Sequence, residues 1–275
     1  MEGNRLYIRI TETLLIFVST HEGSSKIEYF VFKRLPNRSL AADVRESLLR
    51  LPFAEECYAH EVRVIVDVPA IVTALDTLEQ TDEEIALDAI YRYNFPTSEK
   101  DCKILFDALP HLNLAVIFGI RRDVYHEAAE VFSQLRFENA QTALLSHFAR
   151  LQTARHDDDC CLYVLYNGKK TNVCLTAFKG ERFLATGTYG VTQPSDVLYY
   201  SLAMLNALSI APTATHVRIL PAHAGAEALS SCIETYFESV SISQTEQLLG
   251  RNGKSLQEAG FTYDLAVRLL AESHL

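Results

Sequence analysis

A chain of 275 residues, 48% hydrophobic and 22% charged, can bury cores for about two domains and is too apolar to be disordered. Its net charge of −10 is spread over both halves, since residues 157–275 hold 8 basic and 12 acidic side chains and leave −6 to residues 1–156, so neither half offers a nucleic-acid-binding face. The start, Met1-Glu2-Gly3-Asn4-Arg5, lacks the basic patch and apolar run of a signal peptide, and no later apolar stretch nears the roughly 20 residues that span a bilayer, so a cytoplasmic chain without membrane insertion is expected.

Leu6-Tyr7-Ile8-Arg9-Ile10, Leu14-Leu15-Ile16-Phe17-Val18 and Ile27-Glu28-Tyr29-Phe30-Val31-Phe32 read as three strands separated by short polar breaks, which two hairpins join most simply. Ser39 is placed to cap a helix running to about Leu51, because Leu40, Val44, Leu48 and Leu51 fall at helical spacing. A buried strand, Val62-Arg63-Val64-Ile65-Val66, follows. Next comes a helix near 82–95, with Ile85, Ala89 and Ile90 apolar and Phe95-Pro96 closing it. Runs at 103–109 and 112–120 predict a hairpin around Pro110-His111. The helix after Asp123 carries Val124, Ala128, Val131 and Leu135 on one face, and another helix covers about 141–152.

The opening order then returns. Runs at 161–166, 171–178 and 182–189 precede a helix from near Ser195 and a strand at Val217-Arg218-Ile219-Leu220. Starts at 6, 13, 26 and 39 correspond to starts at 161, 171, 182 and 195, an offset of 155 to 158 residues. Such a period marks a duplicated unit. The chain therefore divides into a first lobe with a crossover helix, 1–155, and a second lobe with a C-terminal helix, 156–275. Each lobe is expected to hold a mixed sheet, because hairpin strands run antiparallel and helix-linked strands parallel. The second lobe ends on a helix near 224–237, a strand near 238–242, the polar loop Gly250-Arg251-Asn252-Gly253-Lys254-Ser255 and a last helix at about 264–273.

Several common chemistries find no support. Cys57, Cys102, Cys160, Cys161, Cys174 and Cys232 sit in apolar segments without a CxxC pair, as buried thiols of a reducing compartment do. The run His156-Asp157-Asp158-Asp159-Cys160-Cys161 collects every common zinc-ligand type, yet adjacent cysteines at a strand start point to opposite faces and do not readily share an ion. A solvated linker is the simpler reading. The nine histidines show no HxxxH or HExxH spacing, and GxSxG is absent. Tyr91, Tyr93, Tyr189, Tyr199 and Tyr200 read as rims of the core.

Two βββαβα units joined by a helical crossover resemble the actin-like ATPase fold, an α/β fold of two RNase H-like lobes shared by actin, sugar kinases and heat-shock chaperones. The nearest pattern is the type IV pilus assembly branch. Three stretches carry it: Arg63-Val64-Ile65-Val66-Asp67-Val68-Pro69 with the Asp82-Glu83-Glu84 helix, Lys170-Thr171-Asn172-Val173, and Gly260-Phe261-Thr262-Tyr263-Asp264-Leu265-Ala266. In style the chain also resembles a bacterial domain family of unknown function with that fold.

The resemblance implies one β-hairpin loop per lobe in which a carboxylate holds Mg²⁺ through water and glycines let backbone N–H groups approach phosphate. The first-lobe turn, Ile10-Thr11-Glu12-Thr13, has the acid but no glycine. In the second lobe the match puts Leu165 where the acid is expected, before the turn Tyr166-Asn167-Gly168-Lys169-Lys170-Thr171. The expected glycine-rich adenosine turn is Pro221-Ala222-His223-Ala224-Gly225, with one glycine. Gly168-Lys169-Lys170-Thr171 would present donors to an anion, and would equally serve as a soluble hairpin tip.

The candidate cleft or anion-binding residues are thus Glu12, Asn167, Gly168, Lys169, Lys170, Thr171 and Gly225, with no catalytic or metal-binding residue assigned. The expected function is that of a pseudo-ATPase, a non-catalytic binding or scaffold protein that takes a protein or peptide partner and uses no ATP or Mg²⁺. The alternative is an active ATPase or small-molecule kinase, with Glu12 as the metal-linked acid and Lys169 or Lys170 replacing the backbone cradle.

The last helix makes one prediction. Asp264 caps a segment with Leu265, Val267, Leu269, Leu270 and Ala271 around much of its circumference, each large side chain worth about 1.5–3 kcal/mol when buried. Truncation after Ser255 should lower the urea midpoint by the equivalent of several kcal/mol. An unchanged midpoint with unchanged solubility would make the segment a dispensable tail.

Overall fold

The computed structural model describes residues 5–11, 13–20, 27–53, 62–67, 72–77, 102–132, 135–153, 159–166, 172–220, 224–243 and 267. The chain divides between Thr142 and Ala143 into two compact units. The predicted helix at 82–95 and the polar loop at 250–255 lie outside the described residues. So does the last helix, except Val267, which is helical and buried.

The first unit opens with β1 (Arg5–Thr11), β2 (Leu14–Thr20) and β3 (Ile27–Lys33), followed by α1 (Leu40–Arg50) and β4 (Val62–Asp67). β1 pairs antiparallel with β2, Ile10 opposite Leu15, and parallel with β4, Leu6 beside Val62. β2 pairs antiparallel with β3. The helix starts where expected because Ser39, in extended conformation, accepts a bond from the Ala42 N–H at 3.2 Å. Leu40, Val44 and Leu48 bury against Leu6, Ile8 and Ile10 of β1 and Val62 and Val64 of β4. The apolar face of α1 thus meets one face of the sheet.

An insert follows β4. It comprises β5 (Val72–Thr77), β6 (Cys102–Leu109) and β7 (Leu114–Arg121), an antiparallel sheet in the order β5-β7-β6. The hairpin around Pro110-His111 is present, with a 3-10 turn at Pro110–Leu112 and Asn113 at φ 52° closing it. Two parts of the sequence reading change here. β5 was not among the predicted strands. The helix after Asp123, α2 (Arg122–Ala129), stops short of Leu135, which instead opens a strand, β8 (Leu135–Glu138). β8 adds parallel to β4, so the sheet runs β3-β2-β1-β4-β8. Four residues are too few for periodicity to separate strand from helix, and the pairing to β4 decides the outcome.

The second unit repeats the plan. After α3 (Ala140–Thr153) come β9 (Cys160–Tyr166), β10 (Asn172–Lys179), β11 (Arg182–Gly190), α4 (Pro194–Ala207), β12 (Thr215–Leu220), α5 (Ala224–Ile233) and β13 (Ser239–Ile242). The sheet order is β11-β10-β9-β12-β13, with β9 antiparallel to β10 and parallel to β12. It is the order of the first unit, with the same strand directions.

All seven residues of β9 are buried. Cys160, Leu162, Val164 and Tyr166 face the core that contains Val197, Leu205, Leu229 and Ile233 from α4 and α5. On the other face α3 lies over Tyr163. Phe148 stacks on that ring at 4.2 Å and 7°, and Gln152 Nε2 donates to Tyr163 Oη at 3.2 Å.

His147 sits on the same helix. Its burial, followed by the nearby Arg150 and Arg218 charges, pushes its pKa from 6.5 down to about 4. The folded protein therefore keeps His147 neutral where the unfolded chain would protonate it. The contribution of this site is complete above pH 6.5 and falls as pH drops from 6.5 towards 4, by roughly 3 kcal/mol in total. Urea unfolding measured across that range should show the slope, and His147→Gln should flatten it.

Candidate functional site

The hairpin turn of the first lobe is held from outside. Thr11 Oγ1 accepts the Leu14 N–H at 2.9 Å and the Thr13 N–H at 3.3 Å, and donates to the Leu14 carbonyl at 3.2 Å. Both of these described N–H groups are directed into the turn. Both flanking carbonyls are engaged by one residue, since Arg34 donates its Nη1 to Thr11 O at 3.1 Å and its backbone N–H to Thr13 O at 2.9 Å.

Arg34 is itself anchored. Its Nε lies 3.3 Å from Asp43 Oδ2, and the Asp43 side chain is 0% exposed in α1. Arg38 approaches the other Asp43 oxygen at 3.8 Å and pairs with Glu46, which also meets Arg50. The Arg38 guanidinium holds the Glu46 carboxyl below its ordinary value. A chain of charges on α1 thus fixes the β1–β2 turn. Asp43 lies in the first turn of the predicted helix, but its pairing with the residue just after β3 left no mark in apolar periodicity.

Glu12, Asn167, Gly168, Lys169, Lys170 and Thr171 lie outside the described residues. Gly225 is described, and it is the second residue of α5. Leu165, at the position matched to the second acid, stands between Cys174 of β10 and Leu220 of β12 and is 9% exposed. An apolar side chain packed there supplies no ligand for a cation.

Two polar clusters were not foreseen. Asp107 Oδ2 on β6 accepts the Asn139 N–H at 3.1 Å and the Thr142 hydroxyl at 2.8 Å, and so fastens the insert to the start of α3. At the other end of the second sheet, His216 Nδ1 lies 2.7 Å from Ser239 Oγ and Nε2 3.4 Å from Asp159 Oδ2. The residue types are those of a hydrolytic triad, but the geometry is not. His216 and Ser239 are simple register partners on β12 and β13, and Asp159 is 62% exposed instead of being a buried orienting group.

Cys160 faces the core, and Cys161 next to it on β9 is buried on the opposite side; burial pushes the Cys160 thiol up. Among the described residues no group of three or more His, Cys, Asp or Glu is placed to hold a metal ion. None of the described helices is long and apolar enough to cross a membrane.

The tyrosines form a cluster on the second unit. Tyr189 of β11 stacks on Tyr200 of α4 at 4.5 Å and 14°, and Tyr199 meets Tyr200 edge-on at 5.2 Å. Tyr189 and Tyr200 pack against the core as rims do, whereas Tyr199 is 67% exposed.

Two five-stranded sheets with one strand order and a helical crossover define the class, which is the actin-like ATPase fold. A solved Bacteroides thetaiotaomicron protein described as having that fold and unknown function matches at a TM-score of 0.72 and 17% identity, over 93% of this chain and 95% of its own. A chain of the PilM–PilN type IV pilus biogenesis complex matches at a TM-score of 0.58 and 11% identity, over 99% of each chain. No curated protein matches by sequence. The model of the family described as "Protein of unknown function (DUF3822)" matches residues 1–240, and the chain belongs to that family.

The clamp on the first turn makes a second stability prediction. Arg34→Ala removes the closest partner of a fully buried carboxylate and one bond to the turn, and should cost on the order of 3 kcal/mol. Arg34→Ala with Asp43→Ala should recover part of that loss. Equal urea midpoints for single and double variants would remove the buried charge as the cause.

Proposed function

We infer that this protein is a non-catalytic, cytoplasmic binding or scaffold protein that uses the actin-like fold to hold a protein or peptide partner, without nucleotide. The observation that carries the reading is the closed first-lobe turn, whose Thr13 and Leu14 N–H groups bond to Thr11 Oγ1. Phosphoryl transfer depends on positioned donors and a held metal ion, and removing either costs orders of magnitude in rate. Leu165, packed where the second acid is expected, supports the same conclusion. The family resemblance favours a partner over a substrate, because the PilM–PilN neighbour is a protein complex. Division into lobes at about residue 155 belongs to the same proposal.

Mg²⁺-ATP is the direct test. A ligand at 100 times its Kd raises stability by about 2.7 kcal/mol, so a binding-competent cleft would show as a clear rise in melting temperature. No shift and no phosphate release are expected at millimolar Mg²⁺-ATP. Turnover that disappears in Glu12→Gln would overturn the reading in favour of an ATPase or kinase.

A further inference from the structure

We draw no further inference here: the strongest candidate, the side-chain cluster of His147 and Arg150 on α3 with Arg218 of β12 over the Tyr163 ring, carries nothing because nothing in the structure shows what covers it.

Discussion

Each unit is organised around a strand that is buried on both faces and paired in two directions. β1 and β9 are antiparallel to the next strand in the chain and parallel to one that returns after a helix. A strand in that position has no solvated side, so its side chains must all be compatible with burial and both faces need cover. In β9 one face is covered by α4 and α5, and the other by α3, through the Phe148–Tyr163 stack. The sheet order, the helix that crosses between adjacent strands and the duplicated plan are consequences of satisfying this strand twice.

The polar interactions take their meaning from that frame. Asp43 is a buried carboxylate on α1, and a charge removed from water persists only with close partners. Arg34 meets that need and in the same gesture holds the carbonyls on both sides of the β1–β2 turn. In an actin-like ATPase the corresponding region has to yield to phosphate. Here the turn's described donors are spent on Thr11, and the neighbouring guanidinium is committed to a buried acid. A fold can keep its stability while its loops lose their reaction, because sheet pairing and core packing do not depend on those loops.

Surface groups of the second unit show how residue type and surroundings combine. Tyr199 is exposed, while Tyr189 and Tyr200 beside it pack against the core. The Asp159–His216–Ser239 group shows the opposite case, in which suggestive residue types form a cross-strand polar contact without the burial that catalysis would require.

The sequence by itself determined the duplicated order, the position of α1 from Ser39 and its apolar spacing, the starts of β9 to β11 and the membership of Phe17, Val64 and Leu162 in strands. These are local signals, because a period of two or 3.6 residues is written into neighbouring positions. Tyr199 and Tyr200 were noticed, but which ring would be buried could not be told from adjacent residues in one helix. Tertiary structure decided β5 and β8, where short mixed segments become strands only against β7 and β4. It also decided the Arg34–Asp43 clamp and the Asp107 anchor on α3. Each depends on groups brought together from distant parts of the chain, and no periodicity records a partner that lies 23 or 35 residues away.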